Sequence, residues 1–400
     1  MIELDRRHAL LQAQAREWWA ELRPHALDVD RDPTLPARLL HHPGLGRLGT
    51  LQIPPAYNPD PLTLSGHHFF LMTALERVVY YEEAARGDLA TALAAPGAPM
   101  AGALVDALGD EEQKEWFYGR VLAEPTWTFF ALTEPERGSD AAGLTTTLTR
   151  EAREGPWRLN GTKRYVGNAV RGRLGVVFAR TGGGPLGVNA ALVEAEAPGV
   201  TAEPVATLGL RGAQLGSLAL ESVEVAPERI LGRHLSPTRR GMAGWLRTFN
   251  LLRPVVASMG VGLARAAHEY VRTCRAGLTR EEQCRLDGME RRIEGVRRLT
   301  RRAAVAVDAD VSAGQLACMA KLRAARLAEE TTLQALEFFG AGARFEHPFL
   351  EKLARDARGV EYMEGTENVQ RLSVFHGLVR GGSHGLVQDG SHGFRCGSHG

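Results

Sequence analysis

Lysine, cysteine and long apolar runs are all scarce in this 400-residue chain. Lysine occurs only at Lys114, Lys163, Lys321 and Lys352, so arginine supplies almost all of the positive charge. We attribute this bias to GC-rich coding of the gene in preference to a functional requirement for arginine. The formal net charge is +1, which gives no reason to expect nucleic acid or an anionic membrane as a partner, because both attract strongly basic surfaces.

The cysteines stand apart, at Cys274, Cys284, Cys318 and Cys396, without a Cys-x-x-Cys pair. This spacing disfavours a zinc site and is typical of reduced thiols in a cytoplasmic protein. No segment reaches the roughly 18 apolar residues that a membrane span needs. The charged, amphipathic N-terminus also lacks the apolar core of a signal peptide. We therefore expect a cytoplasmic protein with no membrane contact and no bound metal.

The spacing of apolar residues changes twice along the chain and predicts an α+β fold. Residues 1–124 and 236–380 repeat apolar positions at helical spacing, whereas residues 125–235 hold short β-favouring runs separated by Gly and Pro. We expect an N-terminal α-helical domain, a middle antiparallel β domain and a C-terminal four-helix bundle. No Gly-x-Gly-x-x-Gly segment follows a predicted strand, so a Rossmann nucleotide site is not expected.

Residues 381–400 form a tail in which Gly-Ser-His-Gly occurs three times. Such a composition buries too little apolar surface to fold, so we expect a disordered extension. A metal-binding tail that uses His384, His392 and His399 is the alternative, and composition disfavours it.

Two segments in the predicted β domain have residues suited to holding a flat ring. Residues 130–140 run from a strand end into a Gly/Ser turn, whose hydroxyl and free N–H groups can bind the polar edge of a ring. In the second segment, an Asn160-Gly161 hairpin turn precedes Tyr165 and Gly167. An aromatic side chain followed by bare backbone suits one side of a stacked ring system. Each segment alone also fits an ordinary loop or hairpin.

A third segment, residues 352–371, carries the best candidate for a catalytic acid or base. Glu364-Gly365-Thr366 is predicted to be a loop before a helix, with Thr366 as the helix N-cap. Taken alone, Glu364 also fits a surface acid that is stabilised by the helix dipole.

Together, the segments resemble the acyl-CoA dehydrogenase family from about residue 5 to about residue 380. The resemblance rests on five stretches: Gly109 to Lys114, Leu132 to Asp140, Leu208 to Gly212, Ile230 to Gly232, and Arg355-Asp356-Ala357 followed after six residues by Glu364-Gly365-Thr366. In its length and arginine content, the chain resembles members of the family from actinobacterial natural-product pathways. In those pathways the acyl group is often attached to an acyl carrier protein.

The resemblance implies FAD as the cofactor and an acyl thioester as the substrate. Contacts to FAD are implied for Phe130, Leu132, Thr133, Gly138, Ser139, Tyr165, Gly167, Arg275, Thr366 and Asn368. Contacts to the thioester or to the base are implied for Ser139, Phe249, Asn250, Arg253 and Gly365.

The resemblance also implies Glu364 as the base in an α,β-dehydrogenation. The α-proton is weakly acidic, so its removal needs a carboxylate together with hydrogen bonds to the enolate oxygen. Burial against ligand and flavin would raise the pKa of Glu364 towards neutrality. Leu252 occupies the position at which some members carry an alternative glutamate and cannot act as a base. Two alternatives stay open, an acyl-thioester oxidase that uses oxygen and a catalytically silent, flavin-bound binding or structural relative.

The sequence departs from the family pattern at sites that bear on partners. Gly167 replaces a threonine that meets flavin N5, which leaves open whether an electron-transfer partner or oxygen takes the electrons. The stretches 275–278 and 340–344 replace segments that clamp FAD across a subunit interface. The family forms homodimers or homotetramers, and either is expected here. The arginine run 291–302 is interpreted either as a carrier-protein face or, more commonly for such runs, as a solvated helix face.

Overall fold

Helices occupy both ends of the chain and a sheet occupies the middle. The structure is a computed structural model that describes residues 3–140, 143–150 and 155–388. The α-helices are α1 (Arg6–Leu22), α2 (Ala26–Arg31), α3 (Pro43–Gly46), α4 (Ala74–Leu93), α5 (Ala101–Leu108), α6 (Glu111–Ala123), α7 (Met242–Cys274), α8 (Arg280–Ala309), α9 (Gly314–Glu337), α10 (Ala343–Glu346), α11 (Pro348–Val360) and α12 (Glu367–Gln388). The strands are β1 (Leu62–Leu64), β2 (His67–Phe69), β3 (Thr128–Ala131), β4 (Thr147–Thr149), β5 (Trp157–Val166), β6 (Leu174–Arg180), β7 (Val188–Glu194), β8 (Val200–Pro204) and β9 (Gly216–Val225).

The N-terminal helices begin where the sequence supplies caps and bury one apolar stripe. The Asp5 carboxylate accepts a hydrogen bond from the His8 N–H and caps α1. Leu11, Ala15 and Trp19 then follow at four-residue spacing, and all three are fully buried. This stripe packs against α4, which lies at the centre of the largest apolar core of the protein.

The middle domain is built on one sheet with the strand order β3-β6-β4-β5-β9-β8, and β7 pairs with β6. The pairs β5/β9, β6/β7 and β8/β9 are antiparallel, as predicted, but β3 runs parallel to β6. Strand β6 is buried on both faces, since Val176 and Phe178 pack towards α5 and α6 whereas Val177 and Ala179 pack into a second core. A strand covered on both sides has a continuous apolar run instead of an alternating one.

In the C-terminal domain, α7, α8 and α9 pack against one another, and α11 and α12 pack against α9. Helix α8 begins at a capping box, in which Thr279 and Glu282 each accept a hydrogen bond from the other residue's N–H. Two glycines permit close helix packing. A Cβ at Gly262 would lie 2.4 Å from the Glu82 carbonyl oxygen, and a Cβ at Gly260 would lie 2.7 Å from that of Ala324.

A buried ionic cluster joins the three domains. Lys352 on α11 forms ion pairs with Asp88, inside α4, and with Asp356, and none of the three side chains is exposed. Asp356 also accepts a hydrogen bond of 2.6 Å from the N–H of Leu210, in the β domain. The Asp88 carboxylate also accepts from Thr91 at a kink in α4. Paired and hydrogen-bonded, the charges tolerate burial.

The predicted α+β class, with helical, β and helical regions in that order, is confirmed. One expectation needs correction, because residues 381–388 of the predicted disordered tail continue α12. A helix that is already nucleated gains one hydrogen bond for each residue added, which extends it into a poorly suited sequence. Residues 389–400, and with them His392 and His399, lie outside the described residues. Within the described part of the chain, no helix has both the length and the apolarity that crossing a bilayer requires.

Candidate active site

The loop between α11 and α12 presents Glu364 on a strained turn. Glu364 has a backbone φ of +48° and Gly365 follows with a φ of +101°. Left-handed backbone suits glycine but costs free energy in glutamate, so surrounding contacts must hold the turn. Such strain in a residue with an ionisable side chain points to a functional role.

Three side chains from three helices hold the backbone of this turn. Lys321 Nζ on α9 donates to the carbonyl oxygens of Glu361 at 2.6 Å and Gly365 at 2.7 Å. Gln370 Nε2 on α12 donates to the carbonyl oxygens of Glu364 at 2.9 Å and Gly365 at 3.1 Å. Arg253 Nε on α7 donates to the Glu364 carbonyl oxygen at 3.3 Å. The turn is therefore fixed relative to the helices around it.

The start of α12 is capped by Glu361. Its carboxylate accepts a hydrogen bond of 2.6 Å from the Glu367 N–H. Thr366 immediately precedes the helix, at the predicted position, but the capping bond comes from Glu361 five residues upstream. The longer side chain reaches back across the loop, which local sequence rules for caps do not describe.

The Glu364 carboxyl group is in an unusual electrostatic environment. Its Oε2 is out of solvent contact and has no hydrogen-bond partner. Burial raises the pKa of Glu364 to about 7, against the opposing charges of Lys321 and Arg253, which lower it. A half-buried carboxyl with one unpartnered oxygen and a pKa near neutrality is suited to exchange a proton with a ligand.

A chain of contacts connects Glu364 with the β domain. Arg253 lies next to Asn250, whose Oδ1 accepts a hydrogen bond of 2.8 Å from Arg253. The Arg253 guanidinium carbon also lies 5.9 Å from the ring centre of Phe249. The Phe249 ring centre lies 6.2 Å from that of Phe130 on β3. Arg253 and Phe249 therefore link the Glu364 turn with the β domain, and Asn250 lies beside Arg253.

The predicted ring-binding loop after β3 is fixed from below by buried Glu134. Its carboxylate accepts hydrogen bonds from the N–H groups of Thr145 at 2.6 Å and Thr146 at 2.8 Å, and from Lys163 Nζ at 2.9 Å. Burial raises the pKa of Glu134, but these donors outweigh it and lower the pKa to about 2. Lys163 also donates to the Leu132 carbonyl oxygen. The predicted contacts Leu132 and Thr133 thus stand on a rigid, charge-balanced support.

The side of this loop that faces away from Glu134 is open to solvent. Tyr165 has a left-handed φ of +60° and its residue is 55% exposed, which is unusual for a large aromatic side chain. The Arg164 N–H donates to the Thr133 carbonyl oxygen at 2.9 Å, so Tyr165 lies beside the loop. A Cβ at Gly138 would meet no atom within 4 Å, and one at Gly167 would have Leu215 at 3.9 Å as its neighbour. A flat ligand has access to this backbone.

Comparison with known proteins identifies the family. The N-terminal, middle and C-terminal domain models of acyl-CoA dehydrogenase match residues 5–124, 129–223 and 239–379, respectively. The mitochondrial short-chain specific acyl-CoA dehydrogenase of Homo sapiens is 30% identical over 394 residues, which cover 95% of this chain and 92% of the relative. The chain belongs to the acyl-CoA dehydrogenase family. The predicted enzyme class, a FAD-dependent oxidoreductase of acyl thioesters, is thereby confirmed.

Solved structures share the fold of this acyl-CoA dehydrogenase family member. Butyryl-CoA dehydrogenase from Megasphaera elsdenii superposes with a TM-score of 0.81 at 24% identity and covers 95% of this chain and 100% of its own. The prolyl acyl carrier protein oxidase AnaB superposes with a TM-score of 0.76 at 21% identity and covers 94% of this chain and 100% of its own. At these identities, both likenesses concern the fold.

Not every predicted contact of this family member lies at the Glu364 turn. Thr366 and Asn368 lie directly after it, at the start of α12. Ser139 lies on the exposed part of the β-domain loop. Arg275 follows the far end of α7, which at the helical rise is about 33 Å from Arg253 along the helix. Its Nη2 is directed to Glu282, at 3.4 Å. Contact between Arg275 and FAD would have to come from a second copy and stays a prediction.

The arginine run 291–302 of this family member is largely engaged within the chain. Arg297 pairs with Glu82 at 2.7 Å, and Arg298 pairs with Glu294 at 2.9 Å. Arg292 pairs with Glu330. These contacts support the interpretation of the run as a helix face over the carrier-protein interpretation.

Sequence reasoning missed the side chains that hold the site, namely Lys163, Lys321 and Gln370. The scarcity of lysine in the sequence could have indicated two of them, Lys163 and Lys321. In a chain that uses arginine almost everywhere, a retained lysine marks a position that arginine does not suit. Lys163, Lys321 and Lys352 are all fully buried.

Proposed function

We propose that this protein is a FAD-dependent dehydrogenase that removes the α-proton and β-hydride of an acyl thioester, with Glu364 as the base. The observation that carries the proposal is the Oε2 atom of half-buried Glu364, which is closed to solvent and unpartnered on a strained turn. The retained acid argues against a catalytically silent relative. The contacts from Glu364 through Arg253 and Phe249 to Phe130 support a site between the C-terminal bundle and the β domain.

The residues at the β-domain loop fit a flavin. One side of a flat ring would lie against the exposed Tyr165 ring and the open backbone at Gly138 and Gly167. Thr133 and Ser139 are the polar residues of the same surface. FAD, when bound, supplies the acceptor for the β-hydride. The rigid support from Glu134 and Lys163 lets these contacts form without further ordering of the loop.

The chain's own part of the reaction is the movement of one proton. The ionised carboxylate of Glu364 takes the α-proton of the thioester. Its pKa of about 7 lies close to the pKa that makes a general base effective at neutral pH. Gln370 and Arg253 donate to the Glu364 carbonyl oxygen, and Lys321 donates to that of Gly365, so the side-chain oxygens of Glu364 stay free for the substrate.

The acyl carrier and the electron acceptor are finer points of the same proposal. The relatives include enzymes named for coenzyme A thioesters and one named for an acyl carrier protein, so a thioester on either carrier is proposed as the substrate. An oxidase is the second candidate. It is favoured by Gly167, which places bare backbone where a side chain would shield the flavin from oxygen.

An anaerobic reduction experiment tests the proposal. The FAD-loaded protein is mixed without oxygen with acyl-CoA and acyl-carrier thioesters, and the flavin absorbance in the blue is followed. Bleaching by one thioester, together with formation of its enoyl product, is the expected result. Admission of air then separates an oxidase, which regains colour within seconds, from a dehydrogenase that needs a protein acceptor. A flavin that no thioester bleaches contradicts the proposal.

The rate of bleaching should depend on pH through Glu364. Because the base must be ionised, kcat/KM should fall about tenfold for each pH unit below the pKa of about 7 and level off above it. Stopped-flow reduction of the flavin between pH 5.5 and 9 measures this acidic limb of the pH–rate profile. A limb centred near the ordinary glutamate value would show that the carboxyl is solvated in the working enzyme.

A further inference from the structure

Lys321 is directed at the backbone that carries the proposed base. It lies on α9, and its side chain is fully buried. Its Nζ donates to the carbonyl oxygens of Glu361 at 2.6 Å and Gly365 at 2.7 Å. These two carbonyls stand on either side of Glu364, so one ammonium group fastens both ends of the turn.

Lys321 differs from the other buried lysines in its partners. Lys163 forms an ion pair with Glu134 at 2.9 Å, and Lys352 forms ion pairs with Asp88 and a second aspartate. Within the described residues, no carboxylate forms an ion pair with Lys321, and only carbonyl oxygens accept its hydrogen bonds. Its charge is therefore not neutralised by direct contact.

Two carboxyl groups that Lys321 does not touch act on its ammonium group. Burial lowers the pKa of Lys321, and the charges of Glu361 and Glu364 oppose that shift. The cations that face Glu364 are Lys321 from α9 and Arg253 from α7, and both lower its pKa against the effect of burial. Cys318, one turn before Lys321, is a buried thiol whose pKa burial raises, so it contributes no opposing charge near neutrality.

We propose that Lys321 is a positioning residue for the reaction, which holds the strained Glu364 turn through two hydrogen bonds and keeps the base ionised through its unpaired charge. This inference rests on the proposed function for its kinetic consequence. A lysine suits both tasks, since its compact ammonium carries three donors and reaches two carbonyls at once.

Two clamp variants separate the hydrogen bonds from the charge. Lys321→Gln removes the charge and keeps one donor group. Gln370→Leu removes the donor to the Glu364 and Gly365 carbonyls and leaves every charge in place. Leu327→Ala, a truncation of a buried side chain on the same helix, is the control for a loss of stability alone.

Two readouts are applied to each FAD-loaded variant. The first is the pH dependence of flavin reduction by a thioester that reduces the wild type. The second is infrared difference spectroscopy of the carboxyl stretch between pH 5 and 9, with Glu364→Gln as the blank, which follows protonation of Glu364 whether or not the enzyme turns over. Thermal melting and flavin content accompany both.

Lys321→Gln is expected to move both the kinetic limb and the infrared titration upward by about one pH unit, since one nearby opposite charge is lost. Gln370→Leu is expected to lower the rate of flavin reduction roughly 10²-fold, because a displaced base loses its alignment, without moving either titration. Leu327→Ala should lower the melting temperature and leave both titrations at the wild-type position.

An unchanged infrared titration in Lys321→Gln overturns the inference, even if its activity falls. If Lys321→Gln does not fold, Lys321→Met and Lys321→Arg are compared by the same infrared titration. An upward shift in the former that is absent in the latter supports the inference, and any other result, including failure of both to fold, overturns it. If no thioester bleaches the wild-type flavin, the proposed function fails while the infrared titration still decides the role of Lys321.

Discussion

Glu364→Gln is expected to reduce the rate of flavin reduction by about 10²- to 10⁴-fold, the usual contribution of a positioned general base. Glutamine keeps the shape of the side chain and cannot accept the proton. The hydrogen bonds from Lys321, Gln370 and Arg253 go to backbone oxygens, so the turn should survive the change. Stopped-flow reduction at pH 8, together with the flavin content of the purified variant, measures both effects.

A matched control is Glu361→Gln, the same chemical change three residues upstream. Glu361 caps α12 with its carboxylate, so this variant should weaken the helix start and keep the base. Full flavin occupancy with lost activity in Glu364→Gln, and activity within about tenfold of wild type in Glu361→Gln, is the expected pattern. A Glu364→Gln variant that reduces its flavin at the wild-type rate contradicts the assignment of the base.

Glu364→Gln should lower activity but raise stability above pH 5. The pKa of Glu364 is raised in the folded protein to about 7, so its ionisation opposes folding as the pH rises above the unfolded value. The wild type should therefore lose melting temperature relative to Glu364→Gln as the pH rises from 5 to 8. Melting curves of the ligand-free proteins across this range measure the difference.

Lys352→Met is expected to cause the largest loss of stability of any single change considered. It removes the cation between Asp88 and Asp356 and leaves two buried carboxylates without a counter-charge. Breaking a buried ion pair in this way typically costs about 3–5 kcal/mol. Asp356 also binds the N–H of Leu210, so the loss should loosen the β domain from α11 as well as lower the unfolding midpoint.

Urea unfolding followed by intrinsic fluorescence measures this loss, and Lys114→Met is the control. Lys114 pairs at 3.1 Å with an exposed glutamate, Glu111, so the same substitution there should cost about 0–1 kcal/mol. Three domains can separate before they unfold, and a biphasic transition in Lys352→Met would locate the weakened junction. Equal midpoints for the two variants would contradict the role given to the cluster.

The order of helical and β regions could be predicted because hydrophobic periodicity is a local property. The parallel pairing of β3 with β6 could not, since it joins Thr128 to Leu174 through contacts that no local pattern records. Residues of the site divide in the same way. Glu364 was found from a motif of neighbouring residues, whereas Lys321 contacts Gly365 across 44 residues of chain.

The cap of α12 shows the limit of local rules at closer range. Thr366 is a residue type that N-caps prefer and lies at the N-cap position. Glu361 nevertheless accepts the bond from the Glu367 N–H, because the loop folds back on itself. The fold of that loop depends on Lys321 and Gln370, which come from other helices. A sequence pattern therefore predicts which residues form the site, and tertiary contacts determine the geometry of the Glu364 turn.

The scarcity of lysine has a practical consequence for amine chemistry on this protein. Lys163, Lys321 and Lys352 are closed to solvent, whereas the side chain of Lys114 is 21% exposed. Reagents that couple to primary amines, and enzymes that acetylate lysine, thus meet Lys114 as the accessible lysine of the folded protein. It lies on α6 of the N-terminal domain, not on the Glu364 turn. A dye or a solid support attached there would leave the Glu364 turn and the arginine run 291–302 unmodified.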